Sequence, residues 1–251
     1  PWALVTGAGP GIGAEFANQL AGLGLDLVLV DRTEGPFEAI VKSLKSQYSV
    51  QVKTIQKDLE EPDFLPDILR TTDSLEIGLL VNNAGYALTG DFLDHDLEQE
   101  IGLLHVNCRA PLILSHAFGK KMVERGRGGI VFLSSIAAFL PMPFWTHYSA
   151  SKVYDLHIAN GLYFELKDKG VDVLALCPGN TQTGFAEVAG IKSKGMTPEP
   201  VVKQALEKLG KKPLVVPGAG NRIITFLSRM MSRNRNIEVG AKVVQDLRKT
   251  Q

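Results

Sequence analysis

Short apolar runs recur along the chain, and helical patterns of ten or more residues lie between them, for example at 13–24, 96–126 and 148–170. Most of the short runs are apolar at consecutive positions, as is typical of parallel strands that helices cover on both faces. This alternation predicts an α/β fold with a doubly wound (Rossmann) parallel sheet of about seven strands and helices on both faces. The runs are 3–6, 25–30, 50–55, 77–81, 129–134, 171–177 and 213–216.

Neither a low-complexity linker nor a shift in composition divides the 251 residues. We therefore predict a single domain over 1–251. Residues 184–200 interrupt the alternation with three glycines and two prolines, after the run that ends at Cys177. Ligands of doubly wound sheets bind beyond the carboxyl ends of the strands, so this segment is a predicted substrate lid. Its apolar residues are Phe185, Val188, Ile191 and Met196.

Composition argues against several classes of partner. The 27 basic and 27 acidic residues give zero formal net charge, so we expect no nucleic-acid partner. Cys108 and Cys177 form neither a CxxC pair nor part of a cluster with metal-ligand spacing, so we expect no metal and a reduced, cytoplasmic setting. The apolar runs are too short for a membrane span. The sequence begins at Pro1 without methionine, which leaves an upstream targeting segment open.

The tail from Gly220 onward combines arginines with large apolar residues. Two interpretations stand: a surface helix packed on the domain, or a helix that lies on a membrane surface. The balanced charge of the whole chain favours the first. The residues concerned are Arg222, Arg229, Arg233 and Arg235, with Ile223, Phe226, Leu227 and Met230.

A glycine-rich segment, TGAGPGIG at 6–13, follows the first strand and opens the first helix. Glycines 7, 11 and 13 allow close approach of the backbone to a pyrophosphate, and the N–H groups and dipole of the helix N-terminus favour its negative charge. We predict a dinucleotide-binding turn that also includes Gly9, Pro10 and Ile12. A tight strand-to-helix turn without a ligand is the alternative.

The second strand ends at Asp31, eighteen residues after Gly13. A carboxylate there can accept hydrogen bonds from the adenosine ribose and would repel a 2′-phosphate, which favours NAD. The neighbouring Arg32 could pair with a 2′-phosphate instead, so NADP is possible.

Seven segments occur in an order and with a spacing that resemble the short-chain dehydrogenase/reductase family over nearly the whole chain. In detail the sequence looks most like the DltE-like bacterial branch of that family. The resemblance implies an NAD(P)-dependent oxidoreductase acting on CH–OH and C=O groups. The segments are TGAGPGIG at 6–13, Asp58 in KDL, NNAG at 82–85, Asn107, Ser135, YSASK at 148–152 and PGNTQT at 178–183.

Tyr148 and Lys152 are four residues apart in a helical pattern, so both project from one face. A nearby ammonium, together with a positive nicotinamide ring, would stabilise the phenolate and lower the pKa of Tyr148, which makes it the predicted acid/base. Ser135 is predicted to hydrogen-bond the substrate oxygen, and Ser134 to be structural. By resemblance, Asn107 would hold a water in a proton relay to Lys152; a core hydrogen bond is its alternative.

The resemblance implies further cofactor contacts in addition to Tyr148 and Lys152. Asp58 corresponds to an adenine-contacting residue, the NNAG segment lies under the adenosine side, and Thr183 with the backbone around Thr181 would meet the nicotinamide carboxamide. The cofactor residues implied in this way are Asp58, Leu59, Asn83, Ala84, Gly85, Pro178, Gly179, Thr181 and Thr183. His147 is interpreted as a bystander, because neighbours on a helix point in different directions.

The predicted substrate is a largely apolar carbonyl or alcohol compound, since Tyr86, the run from Phe139 to Trp145 and the lid could line its side of the site. These residues could instead form core or a subunit interface. By resemblance, the chain is a homodimer or homotetramer that pairs through 96–125 and the helix after Tyr148. A dinucleotide-binding redox sensor or scaffold without catalysis is the alternative function.

Overall fold

The computed structural model describes residues 1–33, 35–185, 189 and 195–249. Its centre is a seven-stranded, entirely parallel sheet in the order β3-β2-β1-β4-β5-β6-β7, which confirms the predicted fold class. The strands are β1 (Trp2–Thr6), β2 (Asp26–Asp31), β3 (Val52–Gln56), β4 (Ile77–Asn82), β5 (Gly128–Leu133), β6 (Val171–Leu176) and β7 (Leu214–Val215).

Helices connect the strands and cover both faces of the sheet. None of them, within the described residues, is long and apolar enough to cross a membrane. The helices are α1 (Ile12–Gly22), α2 (Gly35–Gln47), α3 (Phe64–Thr72), α4 (Leu97–Leu104), α5 (Ala110–Arg125), α6 (Thr146–Leu166), α7 (Pro198–Lys208), α8 (Ala219–Met230) and α9 (Arg233–Lys249).

Alternate residues of the strands enter two separate hydrophobic cores. Leu4 of β1 packs in the core that contains Phe118 of α5, whereas the adjacent Val5 packs in the core that contains Phe16 of α1. Successive side chains of a strand point to opposite faces, so a strand that is apolar at both positions is buried on both sides. This is why the strands read as continuous apolar runs.

The chain builds the sheet outward from β1 through β2 to β3, and then returns to add β4 on the other side of β1, so the strand order reverses between β1 and β4. In doubly wound sheets the crevice for a ligand lies at this switch point, beyond the carboxyl ends of the strands. Thr6 and Asn82 end the two strands that flank it.

The helical pattern at 96–126 is interrupted in the structure. A π-helical turn from His105 to Arg109 separates α4 from α5, and Asn107 lies within it. Such turns insert an extra residue into an α-helix and frequently occur at functional sites. Periodicity could not show the interruption, because hydrophobic residues continue through it.

The predicted lid at 184–200 is only partly described. Thr181 and Met196 form an isolated parallel bridge at its base, and the Ala189 amide donates to the Phe185 carbonyl. Val188 and Ile191 lie outside the described residues. The last three residues of the predicted lid, 198–200, form the beginning of α7.

Candidate active site

A cavity of about 790 Å³ occupies the crevice at the switch point. Residues at or after the ends of β1, β2, β4, β5 and β6 line it, together with residues of α6. All predicted cofactor residues except Gly11 are among them. The predicted residues in its wall are Gly7, Gly9, Pro10, Ile12, Gly13, Asp31, Arg32, Asp58, Leu59, Asn83, Ala84, Gly85, Ser135, Tyr148, Lys152, Pro178, Gly179, Thr181 and Thr183.

The segment after β4 clamps the glycine turn. Asn83 Nδ2 donates to the carbonyl oxygens of Thr6 at 2.9 Å and Gly7 at 2.7 Å, while Thr6 Oγ1 accepts from the amides of Asn83 and Ala84. A Cβ at Gly7 would lie 2.7 Å from Ala84 Cα, and one at Gly13 would lie 2.0 Å from the Gly7 oxygen. The turn therefore requires glycine at both positions, and NNAG is part of its support.

The N-terminus of α1 is open toward the cavity. Its N-cap is Gly11, at φ 110°, and among the described residues no side chain caps it. Gly11 packs against Thr183, since an added Cβ would lie 2.7 Å from Thr183 Cβ, whereas Ile12 and Gly13 reach the cavity wall. Free N–H groups and the helix dipole bind anions, so these residues fit the pyrophosphate of a dinucleotide.

Asp31 is held at the end of β2 by the turn itself. Its Oδ2 accepts from the Gly9 amide at 2.8 Å, and its Oδ1 accepts from the amide and hydroxyl of Thr33. Arg32 is exposed and, with Lys57, lines an adjoining cavity of about 450 Å³. Lys57 is ion-paired with Glu61 at 2.6 Å and Asp67 at 2.9 Å, so the adenosine end of the site contains a fixed carboxylate beside a recess of mixed charge.

Tyr148 and Lys152 lie on α6, are both buried, and line the same cavity, as their spacing predicts. Lys152 Nζ is 5.8 Å from the centroid of the Tyr148 ring and donates to the Leu133 carbonyl at 2.8 Å. The end of β5 therefore fixes the ammonium next to the phenol.

Burial raises the pKa of Tyr148, although the charge of Lys152 and a hydrogen bond with Ser135 both act to lower it. The lysine alone therefore does not bring this phenol into the neutral range; the expected lowering depends on the positive nicotinamide as well. At neutral pH, without that ring, the Tyr148 hydroxyl keeps its proton and can act as an acid.

Asp155 is a buried partner of Lys152 that the sequence patterns did not reveal. Its Oδ2 is 3.0 Å from Lys152 Nζ, and both side chains are at most 5% exposed. Burial raises the pKa of Asp155 to about 6 against the attraction of Lys152. Burial acts to lower the pKa of Lys152, but the interactions with Asp155 and Tyr148 together outweigh it and the pKa is raised. The one available signal was its i+3 position on the same helix.

The two adjacent serines have different surroundings. Ser134 is buried and its hydroxyl donates to the Lys152 carbonyl at 2.7 Å, which agrees with a structural role. Ser135 lines the cavity next to Tyr148, and its Oγ accepts from the Ala137 amide at 3.1 Å, so its hydroxyl hydrogen points to a partner other than this amide.

Asn107 lies behind the cavity wall. Its Nδ2 donates to the Tyr86 carbonyl and to Ser151 Oγ, both at 3.0 Å, and its Oδ1 accepts from the Tyr86 amide at 3.1 Å. A Cβ at Gly85 would lie 3.1 Å from Asn107 Oδ1 and 3.4 Å from Lys152 Nζ. The side chain thus links the π-turn, α6 and the segment after β4, which supports the core hydrogen-bonding interpretation.

His147 does not line the cavity. It lies on the other side of α6, where its Nδ1 is within hydrogen-bonding distance of Glu100, which also contacts His95 Nδ1 at 2.7 Å. This arrangement agrees with the prediction of a bystander.

The wall near Tyr148 is apolar. Trp145 and Phe185 lie at ring-centroid distances of 5.4 Å from Tyr148, and Trp145 Nε1 donates to Thr89 Oγ1 at 2.7 Å. Met142 completes this part of the predicted run. The two C-terminal helices also line the cavity, which no pattern in the sequence predicted. The residues are Asn221 and Ile224 of α8 and Val243 and Leu247 of α9.

Comparisons with known proteins agree with this geometry. Residues 1–193 match the family model described as short chain dehydrogenase. The chain is 33% identical over 214 residues to a very-long-chain 3-oxoacyl-CoA reductase of Anas platyrhynchos, covering 83% of this chain and 69% of the relative. It is 29% identical over 242 residues to a 7beta-hydroxysteroid dehydrogenase of Clostridium sardiniense, covering 93% and 91%.

A solved short-chain dehydrogenase from Sphingobium yanoikuyae, in complex with NADPH, superposes with a TM-score of 0.83 at 32% identity, over 92% of this chain and 93% of the other. The family match, the 33% identity to the reductase and this superposition identify the chain as a member of the short-chain dehydrogenase family of NAD(P)-dependent oxidoreductases.

Proposed function

We propose that Tyr148 is the proton donor when this oxidoreductase reduces a carbonyl group, and the proton acceptor in the reverse reaction. The observation that carries the proposal is the buried phenol, with Lys152 Nζ 5.8 Å from its ring, in the same cavity as the glycine turn. A dinucleotide whose pyrophosphate lies at Gly9, Ile12 and Gly13 would extend along this cavity.

Nicotinamide, when bound, supplies or accepts the hydride. Tyr148 donates its proton to the substrate oxygen as negative charge develops there, and the Ser135 hydroxyl hydrogen-bonds the same oxygen. Lys152 stabilises the phenolate that remains through its positive charge. Asn107 holds the backbone at Tyr86 and thereby the wall beside Lys152, and a water relay through it remains a prediction.

The cofactor preference is proposed to be NAD, because the Asp31 carboxylate lies in the cavity wall and would repel a 2′-phosphate. The exposed Arg32 supports NADP as the alternative, and the similar Sphingobium structure contains NADPH. Titration of the protein with NADH and NADPH side by side tests this. If NAD is the cofactor, Asp31→Ala should reduce the ratio of NADH affinity to NADPH affinity. If NADP is the cofactor, Arg32→Ala should weaken the binding of NADPH and leave that of NADH unchanged.

The substrate is proposed to be a largely apolar ketone or secondary alcohol. Met142, Trp145 and Phe185 surround the phenol, and the relatives named above act on long acyl chains and steroids by their names. Within the single domain that we propose, residues 184–200 act as the lid over this pocket. The Thr89 hydroxyl donates a hydrogen bond to the Ala189 carbonyl at 2.8 Å, and Phe185 lies against Tyr148.

Tyr148→Phe tests the assignment of the acid. Removal of the hydroxyl while the ring remains should lower turnover of apolar ketones by roughly 10²–10⁴-fold, whereas NADH or NADPH fluorescence titration should be unchanged. Full-rate turnover by this variant would refute the mechanism. Tight cofactor binding with no turnover of any ketone or alcohol by the unmodified protein would instead favour a redox sensor or scaffold.

We also propose that the protein is a homodimer or homotetramer, that it is cytoplasmic, and that it belongs to the DltE-like branch of the family. Pairing through α4 and α5 is supported by exposed apolar side chains on them, and light scattering at micromolar concentration should give a dimer or tetramer mass. The cytoplasmic location and the DltE-like branch rest on the sequence alone. The exposed apolar residues are Leu97, Ile101, Leu104 and Leu112.

A further inference from the structure

Helix α8 buries polar residues and exposes apolar ones, which is the reverse of an ordinary surface helix. Thr225 and Ser228, which are 6% and 4% exposed, are its buried residues, and their hydroxyls donate to carbonyls of α8 itself, at Arg222 and Thr225. A surface helix normally packs its apolar stripe against the core and turns its polar side to solvent. Here small polar side chains face the protein.

The apolar residues of α8 lie on the opposite side. Ile223, Phe226, Leu227 and Met230 are spaced at i, i+3, i+4 and i+7, which places them in one stripe. They are 59%, 63%, 51% and 74% exposed. This stripe, which we call the α8 apolar face, requires a partner, because contiguous apolar surface of this kind marks an interaction site.

Positive charge surrounds the α8 apolar face. Exposed arginines lie within and just beyond the helix, and the sequence from Ala219 to Ile237 contains neither aspartate nor glutamate. Among the ion pairs within the described part of the chain, none includes these arginines. Although the whole chain is neutral, this region is strongly basic. The arginines are Arg222, Arg229, Arg233 and Arg235.

We propose that the α8 apolar face docks on the surface of an anionic lipid bilayer. Arginines beside a stripe of aromatic and aliphatic residues are the pattern of helices that lie in the membrane interface, where the stripe enters the acyl boundary and the cations meet lipid phosphates. A second copy fits less well, because two-fold pairing of this face would bring each cluster of arginines against its equivalent.

Docking in this way would connect the bilayer with the active-site cavity. Ile224, one residue from the stripe, lines that cavity together with Val243 and Leu247 of α9. A docked molecule would place this wall beside the lipid, so an apolar substrate could pass from the membrane into the cavity without crossing water. Membrane binding itself does not depend on the proposed catalytic roles and is tested without substrate.

Co-sedimentation of the full chain with vesicles tests the proposal. One set of vesicles contains phosphatidylcholine alone, and the other contains equal amounts of phosphatidylcholine and phosphatidylglycerol. We expect binding to the anionic vesicles that weakens as salt is added, because exposed charges are screened. Leu227→Ser should weaken this binding at least roughly tenfold, whereas the control Leu23→Ser, at a leucine that is 66% exposed elsewhere, should not.

Two double variants, matched in the number of charges removed, test the contribution of charge to vesicle binding. Arg222→Gln with Arg233→Gln should weaken binding roughly 30-fold at low salt, since each cation near an anionic surface contributes about a fivefold factor in affinity. Lys42→Gln with Lys45→Gln, at exposed lysines of α2, should leave it unchanged. Equal loss in both double variants would indicate nonspecific attraction and overturn the proposal.

Two further results would overturn it. One is an absence of anionic-vesicle binding by the unmodified protein. The other is a change in light-scattering mass caused by Leu227→Ser without a change in vesicle binding, which would show that a second copy covers the face. Circular dichroism and cofactor titration should be the same for all variants, so that a loss of binding is not a loss of folding.

Discussion

The buried pair formed by Lys152 and Asp155 gives a strong stability prediction, because both charges are almost completely removed from water. We consider Lys152→Met and Asp155→Leu, singly and together. Each single variant removes one charge and leaves the other buried without its partner. The double variant replaces the pair by apolar side chains of similar volume, so neither charge remains unpaired.

The magnitude follows from the geometry. At the observed separation of 3.0 Å, and with an effective dielectric constant of about 20, the attraction between the two charges is about 5.5 kcal/mol. The loss in a single variant is limited, because the remaining group can change its protonation state. For a lysine with an ordinary pKa of 10.5, neutralisation at pH 7 costs about 5 kcal/mol. We therefore expect each single variant to lose about 3–5 kcal/mol of the free energy of unfolding.

Urea unfolding of the unmodified chain and the three variants measures these values in one double-mutant cycle. The double variant should lie within about 2 kcal/mol of the unmodified chain, although its turnover should be lost with Lys152. The reasoning would be refuted if the double variant lost as much free energy of unfolding as the two single variants together, within about 0.5 kcal/mol. In that case the two side chains would not be energetically coupled, whatever their distance.

Three further predictions concern the site. Gly13→Ala should weaken NADH or NADPH binding by roughly 10²-fold, because its Cβ would lie 2.0 Å from a carbonyl oxygen of the same turn; Gly161→Ala, where nothing lies within 4 Å, is the control in the same titration. The pH profile of kcat/KM for ketone reduction should show no alkaline loss due to Tyr148 below its ordinary pKa of 10.0, because burial raises that pKa and the acid keeps its proton; a loss between pH 7 and 9 that Tyr148→Phe abolishes would contradict this. Asn107→Ala should lower the free energy of unfolding by about 2 kcal/mol, because the partly buried amide and carbonyl of Tyr86 lose their partner; unchanged urea unfolding would show that water replaces the amide.

Much of the fold could be predicted from local pattern. The strands are apolar at consecutive positions because both faces of the sheet are buried, and that property is visible along a single segment. The same holds for the glycine turn, where the need for close backbone contact restricts positions 7 and 13 to one residue type. Tyr148 and Lys152 were also predictable, because four residues of helix bring side chains to one face.

Other features depend on segments that are distant in the chain. Asn107 appears in the sequence as a weak helix former, and only packing against Tyr86 and Ser151 gives its amide three partners. The walls contributed by Asn221 and Ile224 come from a helix whose sequence does not indicate which part of the sheet it covers. Spatial neighbours of this kind cannot be inferred from spacing within one segment.

Local sequence patterns specify the succession of strands and helices along the chain, the position of the phosphate turn and the pairing of phenol and ammonium on one helix, because each follows from backbone periodicity within a few residues. How strongly the groups interact depends on the packing of the whole chain. That packing buries Tyr148 so that its pKa is raised despite Lys152, places Asp155 against that lysine, and turns the apolar side of α8 outward. Burial, charge separation and orientation depend on what the rest of the folded chain places around a residue.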